Sequence, residues 1–348
     1  MNCVTIDGII FSLQTHGGIS VYFRELLRYL GTQNLGSTLL LEEPLMQTVD
    51  QSGIGIIRRH SRIAERVRKC RLPASAKIFH SSYYRRPGRA DCASIVTVHD
   101  FISEQYRTGY RAAAHRMQKY AAIQAADVII CVSEATRRDL YNRIDIRAHQ
   151  EVCVIHNGVG DGFHQTESYG SPERPYMLFV GQRKGYKNFD LAVRSLELLP
   201  DMNLICIGGG PLEAGEIDKF PQSVRSRISF CGYVSDDKLN RYYNLAACLV
   251  YPSQYEGFGV PVVEAMKAGC PVVCVDCAAV LEVGGDAVIK ADAIDPEAIA
   301  SAVERALGAQ NRASWGHKGM AQAAAYSWCI THAQTAGIYR SLFRRRTQ

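Results

Sequence analysis

The stretch SQYEGFGVPVVEAMKAGCPVV, residues 253–273, places two carboxylates around a glycine-rich turn, although a purely structural turn needs neither. The run CLVYPS before it predicts a strand, and PVVEAMKAG predicts a helix with Pro261 at its first position and Gly269 at its end. In that arrangement Glu264 lies in the first turn of the helix, at its positive end. A helix start with exposed amides and nearby glycines suits a diphosphate.

The acids and the turn predict a sugar and nucleotide site. A carboxylate only accepts hydrogen bonds and offers two oxygens, so Glu264 suits a cis-diol such as a ribose, and Glu256 suits the hydroxyls of a bound sugar. The alternative makes Glu264 a partner of the helix dipole and Gly257, Phe258 and Gly259 a plain turn. For either acid alone that alternative is the stronger one, but the whole stretch favours the ligand site.

Short β-branched runs alternate with helical periodicity in both halves of the 348 residues, which predicts parallel sheets covered by helices. We therefore expect an α/β protein of two doubly wound domains. The strands are predicted near residues 4–10, 38–41, 78–80, 94–98, 128–132 and 152–155, then near 177–180, 203–207, 228–231, 248–251, 272–275 and 288–290. The Gly-, Ser- and Pro-rich segment of residues 157–175 is the predicted linker.

Several nucleotide-binding motifs are missing from the sequence. Neither G-x-G-x-x-G nor G-x-x-x-x-G-K-[ST] occurs, which disfavours a dehydrogenase or a P-loop enzyme. No two aspartates stand two residues apart, so the D-x-D pattern that binds a divalent metal with a nucleotide diphosphate is absent as well. Any phosphate charge is therefore expected to be met by Arg, Lys and backbone amides.

Composition indicates a cytoplasmic protein. The chain contains no run of eighteen apolar residues and begins without a basic leader, so we expect neither a membrane span nor a signal peptide. Most of the 12 cysteines stand singly in apolar runs, as core residues do in a reducing compartment. Cys270, Cys274 and Cys277 include a C-x-x-C but lack an evident fourth ligand, so we expect no metal site.

A basic segment carries much of the net charge of +6. Residues Arg58–Arg71 hold seven Arg or Lys against one Glu, and their spacing predicts a basic amphipathic helix. Such a helix is either a solvated face or a contact with an anionic membrane surface. Nucleic acid is not expected as a partner, because no interleaved aromatic pattern or known binding module occurs.

The loop GQRKGYKN carries Arg183 and Lys187 where the next helix opens. Two cations that reach one cleft can neutralise a departing nucleotide diphosphate. Lys184 is the less favoured rival of Lys187, and basic loop residues taken alone are usually just solvated.

The first half offers two further candidate stretches, THGGIS and TVHDF. Gly17 and Gly18 could let backbone amides approach the donor phosphate, or could form a turn that needs positive φ. His99 and Asp100 end a strand and could be a base and its orienting acid, although a lone His there is more often a packed or capping residue.

The whole set of motifs resembles the family 4 retaining glycosyltransferases of the GT-B fold. YEGFGVPVVEAMKAGCPVV matches the family signature of two glutamates separated by seven residues, and GGISVYFRELL, IFHSSYY, ADVIICVSEATRRDL, IHNGV, FVGQRKGYKNFDLAV and FCGYVSDDKL follow in the family's order. The chain looks most similar to the O-antigen mannosyltransferase branch. The resemblance implies an acceptor-side domain of residues 1–158 and a nucleotide-sugar domain of residues 159–328, both Rossmann-like, which face each other across a cleft. It also implies that residues 329–348 form a helix that crosses back to the first domain.

The resemblance also implies residue roles. Arg183 and Lys187 become the diphosphate pair, and His99 becomes a contact to the transferred sugar. Asp100 either orients His99 or touches the acceptor, and Glu134, beside the predicted helix cap Ser133, is a weaker acceptor candidate. The expected donor-binding set is completed by Gly17, Gly18, Glu256, Gly257, Phe258, Gly259, Glu264 and the backbone around Val234, without metal or cofactor.

The expected activity is transfer of a hexose from a nucleotide sugar to a hydroxyl of a growing, lipid-linked surface glycan such as O-antigen. Mannose from GDP-mannose is preferred because of the nearest branch. The alternatives are a UDP-sugar donor, a sugar-nucleotide epimerase or phosphorylase on a similar scaffold, and a non-catalytic module that binds membrane through Arg58–Arg71. The expected location of the protein is the cytoplasm, or the inner face of the cytoplasmic membrane if Arg58–Arg71 contacts it.

Overall fold

The computed structural model describes residues 4–14, 17–33, 36–42, 53–59, 65–166, 170, 172–183, 185–210 and 215–347. The chain divides into two compact units, Met1–Gly158 together with Trp328–Gln348 (unit 1) and Val159–Ser327 (unit 2). The last helix therefore packs as part of unit 1. The sequence placed the first boundary at the same residue and the start of the returning segment one residue later.

Unit 1 is built on a parallel sheet that has seven strands within the described residues, in the order β3-β2-β1-β4-β5-β6-β7. The strands are β1 Val4–Asp7, β2 Ser37–Glu42, β3 Gly55–Arg59, β4 Ile78–Ser81, β5 Ala93–Val98, β6 Val128–Cys131 and β7 Glu151–Val154. The helices are α1 Ile9–Leu13, α2 Gly18–Thr32, α3 Ile102–Tyr106, α4 Tyr110–Ala125, α5 Glu134–Arg143 and α13 Trp328–Thr347. The β1, β4, β5 and β6 strands are buried along their whole length, as expected of strands covered on both faces.

Unit 2 repeats this design with a parallel sheet whose described part has six strands, in the order β10-β9-β8-β11-β12-β13. Its strands are β8 Tyr176–Val180, β9 Asn203–Ile207, β10 Ile228–Phe230, β11 Cys248–Tyr251, β12 Val272–Cys274 and β13 Ile289–Lys290. Its helices are α6 Phe189–Glu197, α7 Gln222–Arg225, α8 Asp236–Leu245, α9 Val260–Lys267, α10 Ala278–Gly284, α11 Pro296–Ala306 and α12 Ala309–Ala323. The predicted α/β class with two doubly wound units is confirmed.

Each sheet has one place where the strand order reverses, between β1 and β4 in unit 1 and between β8 and β11 in unit 2. Chain crossovers leave these points toward opposite edges of the sheet, so the loops that follow the two central strands are drawn apart. The gap they leave at the carboxyl ends of the strands is the usual ligand crevice of an open parallel sheet. In unit 2 the loops concerned follow Val180 and Tyr251.

The basic segment does not form the predicted amphipathic helix. Its first residues belong to the edge strand β3, and Glu65–Val67 form a 3-10 turn, while residues 60–64 lie outside the described residues. Val67, which would have lain on the apolar face of the predicted helix, is 62% exposed. The 3-10 turn is fastened by Glu65, which pairs with the buried Arg85; Arg85 in turn contacts Asp7 at 2.9 Å.

Two other sequence expectations need correction. The first strand ends at Asp7, because helix α1 begins at Ile9, so the predicted strand of residues 4–10 was too long. The predicted linker begins as an ordered part of unit 2: Val159 pairs with Ser327, and Phe163 is buried against Tyr243.

No helix in the described part of the chain is long and apolar enough to cross a bilayer. The cysteines Cys270, Cys274 and Cys277 are buried and free, and burial raises their pKa values to about 12, 12 and 11. Thiols held neutral by burial behave as small core residues. Among the described residues no three His, Cys, Asp or Glu side chains group as metal ligands.

Candidate active site

The turn between β11 and α9 is shaped by Gly259, which caps the helix in a left-handed conformation with φ of +100°. A side chain at that φ would be strained. Helix α9 begins at Val260, so Pro261 is its second residue and Glu264 its fifth. Glu264 therefore lies in the second turn, not in the first turn as predicted, and helix-dipole pairing is the weaker explanation for it because that effect fades within the first turn.

Lys187 and Glu256 meet in an ion pair at the reversal point of unit 2. Lys187 Nζ donates to Glu256 Oε1 at 2.5 Å and to the Tyr251 hydroxyl at 2.9 Å. The ammonium also lies 4.7 Å from the centre of the Tyr251 ring. The two charged side chains are only 13% and 10% exposed, so this pair is held in a mostly dry setting.

Arg183 is buried and makes more hydrogen bonds than its place in a predicted loop suggested. Its Nε donates to Glu216 at 2.6 Å, and its terminal nitrogens donate to the carbonyls of Gly208 and Gly210 at 3.0 and 3.2 Å. The guanidinium also stacks over Phe230, 5.1 Å from the ring centre. The solvated alternative is wrong, because the Arg183 side chain is 3% exposed.

Both cations flank Gly181, the residue after β8. A Cβ on Gly181 would stand 3.6 Å from Lys187 Nζ, and a Cβ on Gly209 would stand 2.7 Å from Arg183 and 3.0 Å from the Gly181 carbonyl. The structure thus brings Arg183, Lys187 and Glu256 to one edge of the unit 2 sheet. Lys184 lies outside the described residues.

Glu264 carries a perturbed carboxyl. Burial raises its pKa from 4.5 to about 7, while a hydrogen bond from Tyr243 at 3.0 Å opposes that rise and Asp236 adds to it. Near neutral pH the group is therefore divided between the acid and the carboxylate. Such perturbed carboxyls are common at functional sites.

The remaining candidates in unit 2 for binding the nucleotide sugar include Phe258 and Val234, whose side chains are buried. Phe258 is buried and packs edge-on against Tyr326 at 5.7 Å. Val234 is buried just before Ser235, which caps α8. Their backbones could face a ligand while their side chains stay in the core.

In unit 1, His99 lies at the carboxyl end of β5. Its ring packs edge-to-face with that of Tyr22, with 5.2 Å between the ring centres. Burial lowers its pKa to about 4, so the imidazole is neutral, and its Nε2 has no partner within the described part of the chain. A neutral imidazole nitrogen of this kind can accept a hydrogen bond from a hydroxyl. Asp100 Oδ1 accepts from the amide of Ile102, the first residue of α3, at 3.0 Å, and its predicted role stays a prediction.

The other unit 1 candidates occupy helix starts. Gly17 precedes α2 in an extended conformation with φ of 177°, and Gly18 is the first helical residue. Neither adopts the left-handed conformation that favours glycine, so the alternative of a turn that needs it is wrong. Ser133 caps α5 as predicted, accepting from the Thr136 amide at 3.0 Å. Glu134 pairs with Arg137 at 2.6 Å on the surface of the same helix.

Sequence reasoning missed three side chains that hold the unit 2 candidates, Tyr251, Glu216 and Tyr243, and one buried side chain of unit 1, Lys119. Tyr251 ends a predicted strand, which is a position where ligand-facing residues concentrate, and could have been found. The other three gave no signal, because their partners are distant in sequence. The buried Lys119 donates to the Asp100 carbonyl and lies 3.2 Å from Glu104.

Two family models match the chain. One described as Glycosyltransferase Family 4 matches residues 16–161, and one described as Glycosyl transferases group 1 matches residues 174–309. The curated O-antigen chain mannosyltransferase B of Escherichia coli is 29% identical over 288 residues, which cover 76% of this chain and 74% of that protein.

Solved structures share the fold over nearly the full length. Sucrose-phosphate synthase from Thermosynechococcus elongatus matches with a TM-score of 0.80 at 18% identity, covering 99% of this chain and 100% of that one. Anabaena HepE in complex with UDP-glucose matches with a TM-score of 0.73 at 14% identity, covering 98% and 100%. The predicted GT-B fold class is confirmed.

Proposed function

The chain belongs to the family 4 glycosyltransferases, with the group 1 glycosyltransferase domain in its second unit, and on that premise we propose that it is a retaining hexosyltransferase. It moves a hexose from a nucleotide sugar to a hydroxyl of a growing, lipid-linked surface glycan. GDP-mannose is the proposed donor and mannose the transferred sugar, because the E. coli relative is named as an O-antigen chain mannosyltransferase. A UDP-sugar is the alternative, since HepE was solved with UDP-glucose.

One observation supports the donor site above the others: Lys187 and Glu256 pair at 2.5 Å at the reversal point of the unit 2 sheet. A ligand crevice is expected at that point on topological grounds alone. The pair supplies a cation for phosphate and a carboxylate for sugar hydroxyls, and each side chain keeps the other oriented. Arg183 lies on the same loop as Lys187, and a Cβ on Gly209 would stand 2.7 Å from Arg183 and 3.0 Å from the Gly181 carbonyl.

The proposed reaction exchanges two bonds at the anomeric carbon on the same face of the sugar. The bond from that carbon to the diphosphate oxygen breaks, and a bond to the acceptor oxygen forms. The acceptor proton passes to the departing diphosphate, so no protein base is needed. Because the acceptor oxygen itself attacks on the face that the diphosphate leaves, no protein carboxylate acts as nucleophile. Arg183 and Lys187 stabilise the developing phosphate charge, Glu264 holds the ribose, and Glu256 and His99 position the sugar. No metal or cofactor takes part in this proposal.

The test combines a donor screen with two variants. A ligand that binds only the folded state raises thermal stability, so GDP-, UDP- and ADP-sugars are compared by thermal shift. Glu264→Ala should weaken binding of the selected donor, and Arg183→Ala should mainly slow turnover. Donor affinity and rates equal to those of the unsubstituted enzyme in both variants would refute the assignment.

The alternatives give different readouts. An epimerase converts its nucleotide sugar without an acceptor, so product analysis with and without a glycan acceptor separates it. A non-catalytic membrane module releases no nucleotide. Contact of Arg58–Arg71 with an anionic membrane stays a prediction, without the helix on which it was based; pelleting with anionic liposomes at low and high salt tests it, because electrostatic contact weakens as salt rises.

A further inference from the structure

Tyr243 is the immediate support of the Glu264 carboxyl. It lies on α8, is completely buried, and donates its hydroxyl proton to Glu264 Oε2 at 3.0 Å. Among the described residues no other side chain donates to this carboxylate, so Oε1 remains for a ligand hydroxyl. The hydrogen bond thus fixes Glu264 Oε2 and leaves Oε1 available.

The buried face of Tyr243 is held by the segment where the chain enters unit 2. The ring of Phe163 meets Tyr243 edge-on at 6.0 Å and 67°. This segment is fastened to α8 on both sides of that contact: Asn240 accepts from the His164 amide at 3.1 Å, and Asn244 accepts from the Thr166 amide at 2.9 Å.

The same segment is also fastened to α9, the helix that carries Glu264. Lys267 Nζ donates to the Val159 carbonyl at 2.9 Å and lies 3.2 Å from Asp161. Residues 159–166 thus bind both α8, which carries Tyr243, and α9, which carries Glu264, and so hold both ends of the Tyr243–Glu264 hydrogen bond. A side chain fixed by packing at both ends of a hydrogen bond is preorganised for its ligand.

From these contacts we propose that Tyr243 is a positioning residue for the donor: it orients Glu264 and favours its carboxylate form, and Phe163 holds Tyr243 in place. The proposal rests on the proposed role of Glu264 at the ribose. In addition, the first residues of unit 2, which are not among the proposed ligand contacts themselves, support the nucleotide end of the proposed site.

Tyr243→Phe removes one hydroxyl and keeps the ring. Because the hydroxyl favours the charged form of Glu264, its loss should raise the pKa of that carboxyl above its value of about 7. A rise of one unit reduces the carboxylate fraction at pH 7 several-fold. We therefore expect GDP-mannose to bind roughly five- to tenfold more weakly at pH 7, with recovery toward pH 9, and kcat to change much less than KM.

The neighbouring Tyr242→Phe is the matched control. Its hydroxyl lies 3.4 Å from Cys231 Sγ and not at Glu264, so the variant should keep the donor affinity and pH profile of the unsubstituted enzyme. Phe163→Leu keeps an apolar group but loses the ring contact, and should shift the profile in the same direction as Tyr243→Phe, by less.

Two measurements on the full chain decide the matter. Carbon-detected NMR of the Glu264 carboxyl follows its titration without any ligand, and an unchanged midpoint in Tyr243→Phe would overturn the proposal. Calorimetry with GDP-mannose compares Tyr243→Phe with Glu264→Gln. If Glu264→Gln weakens binding and Tyr243→Phe does not, the inference fails alone; if Glu264→Gln also binds normally, the role of Glu264 in the proposed function fails with it.

Discussion

Glu264 should make the unliganded protein less stable as the pH rises, and Glu264→Gln should remove that dependence. The pKa of Glu264 is raised by burial from 4.5 to about 7 in the folded protein. Between these values the folded state binds the proton more tightly than the unfolded chain does. The stabilisation from that proton is therefore complete below about pH 4.5 and is lost as the pH rises through 7.

The magnitude follows from the size of the shift. One pKa unit corresponds to about 1.4 kcal/mol, so at pH 8 ionised Glu264 lowers the free energy of unfolding by about 3 kcal/mol, and at pH 5 by less than about 1 kcal/mol. A glutamine can still accept from Tyr243 but has no proton to lose. The difference in unfolding free energy between the unsubstituted protein and the Glu264→Gln variant should thus change by about 2–3 kcal/mol between pH 5 and pH 8.

Urea unfolding followed by tryptophan fluorescence measures this difference. The chain has two tryptophans, and Trp315 belongs to unit 2 while Trp328 belongs to unit 1. A Trp328→Phe background therefore reports on the unit that contains Glu264. The exposed Glu297, on α11, provides the control, and Glu297→Gln should give a difference that varies little with pH. A flat difference for Glu264→Gln from pH 5 to pH 8 would show that the carboxyl is not perturbed.

Three further outcomes are expected from urea unfolding. A double-mutant cycle of Lys187→Met and Glu256→Gln should return a coupling of about 1–3 kcal/mol, and additive effects would contradict the ion pair. Arg85→Met removes the cation that pairs with Asp7, so unit 1 should lose about 3–5 kcal/mol, whereas a loss below about 1 kcal/mol would contradict a buried pair. Ser133→Ala should cost about 1 kcal/mol through the lost α5 cap and leave donor affinity unchanged.

Sequence patterns predicted nearly all of the strands because β-branched runs buried on both faces leave a continuous apolar signal. Strand β3 was missed because its last residues, Arg58 and Arg59, open a basic run with helical spacing. In that segment the pairing with β2 overrode the helical periodicity.

The candidate site was predictable where chemistry is local in sequence. Glu256, the glycine turn and the two loop cations follow predicted strands directly, so their approach to one edge followed from topology. The side chains that hold these residues in place could not be predicted in this way. Glu216 reaches Arg183 across 33 residues, and Tyr243 reaches Glu264 across 21, and nothing in the local pattern links either pair.

The parallel bridge between Val159 and Ser327 brings the first and last residues of unit 2 side by side. A compact body whose two ends adjoin can be excised as one piece, because its removal leaves only a short gap for the host chain to span. Residues 159–327 are accordingly suited to expression as an autonomous fragment, or to transplantation between related enzymes together with the proposed donor site.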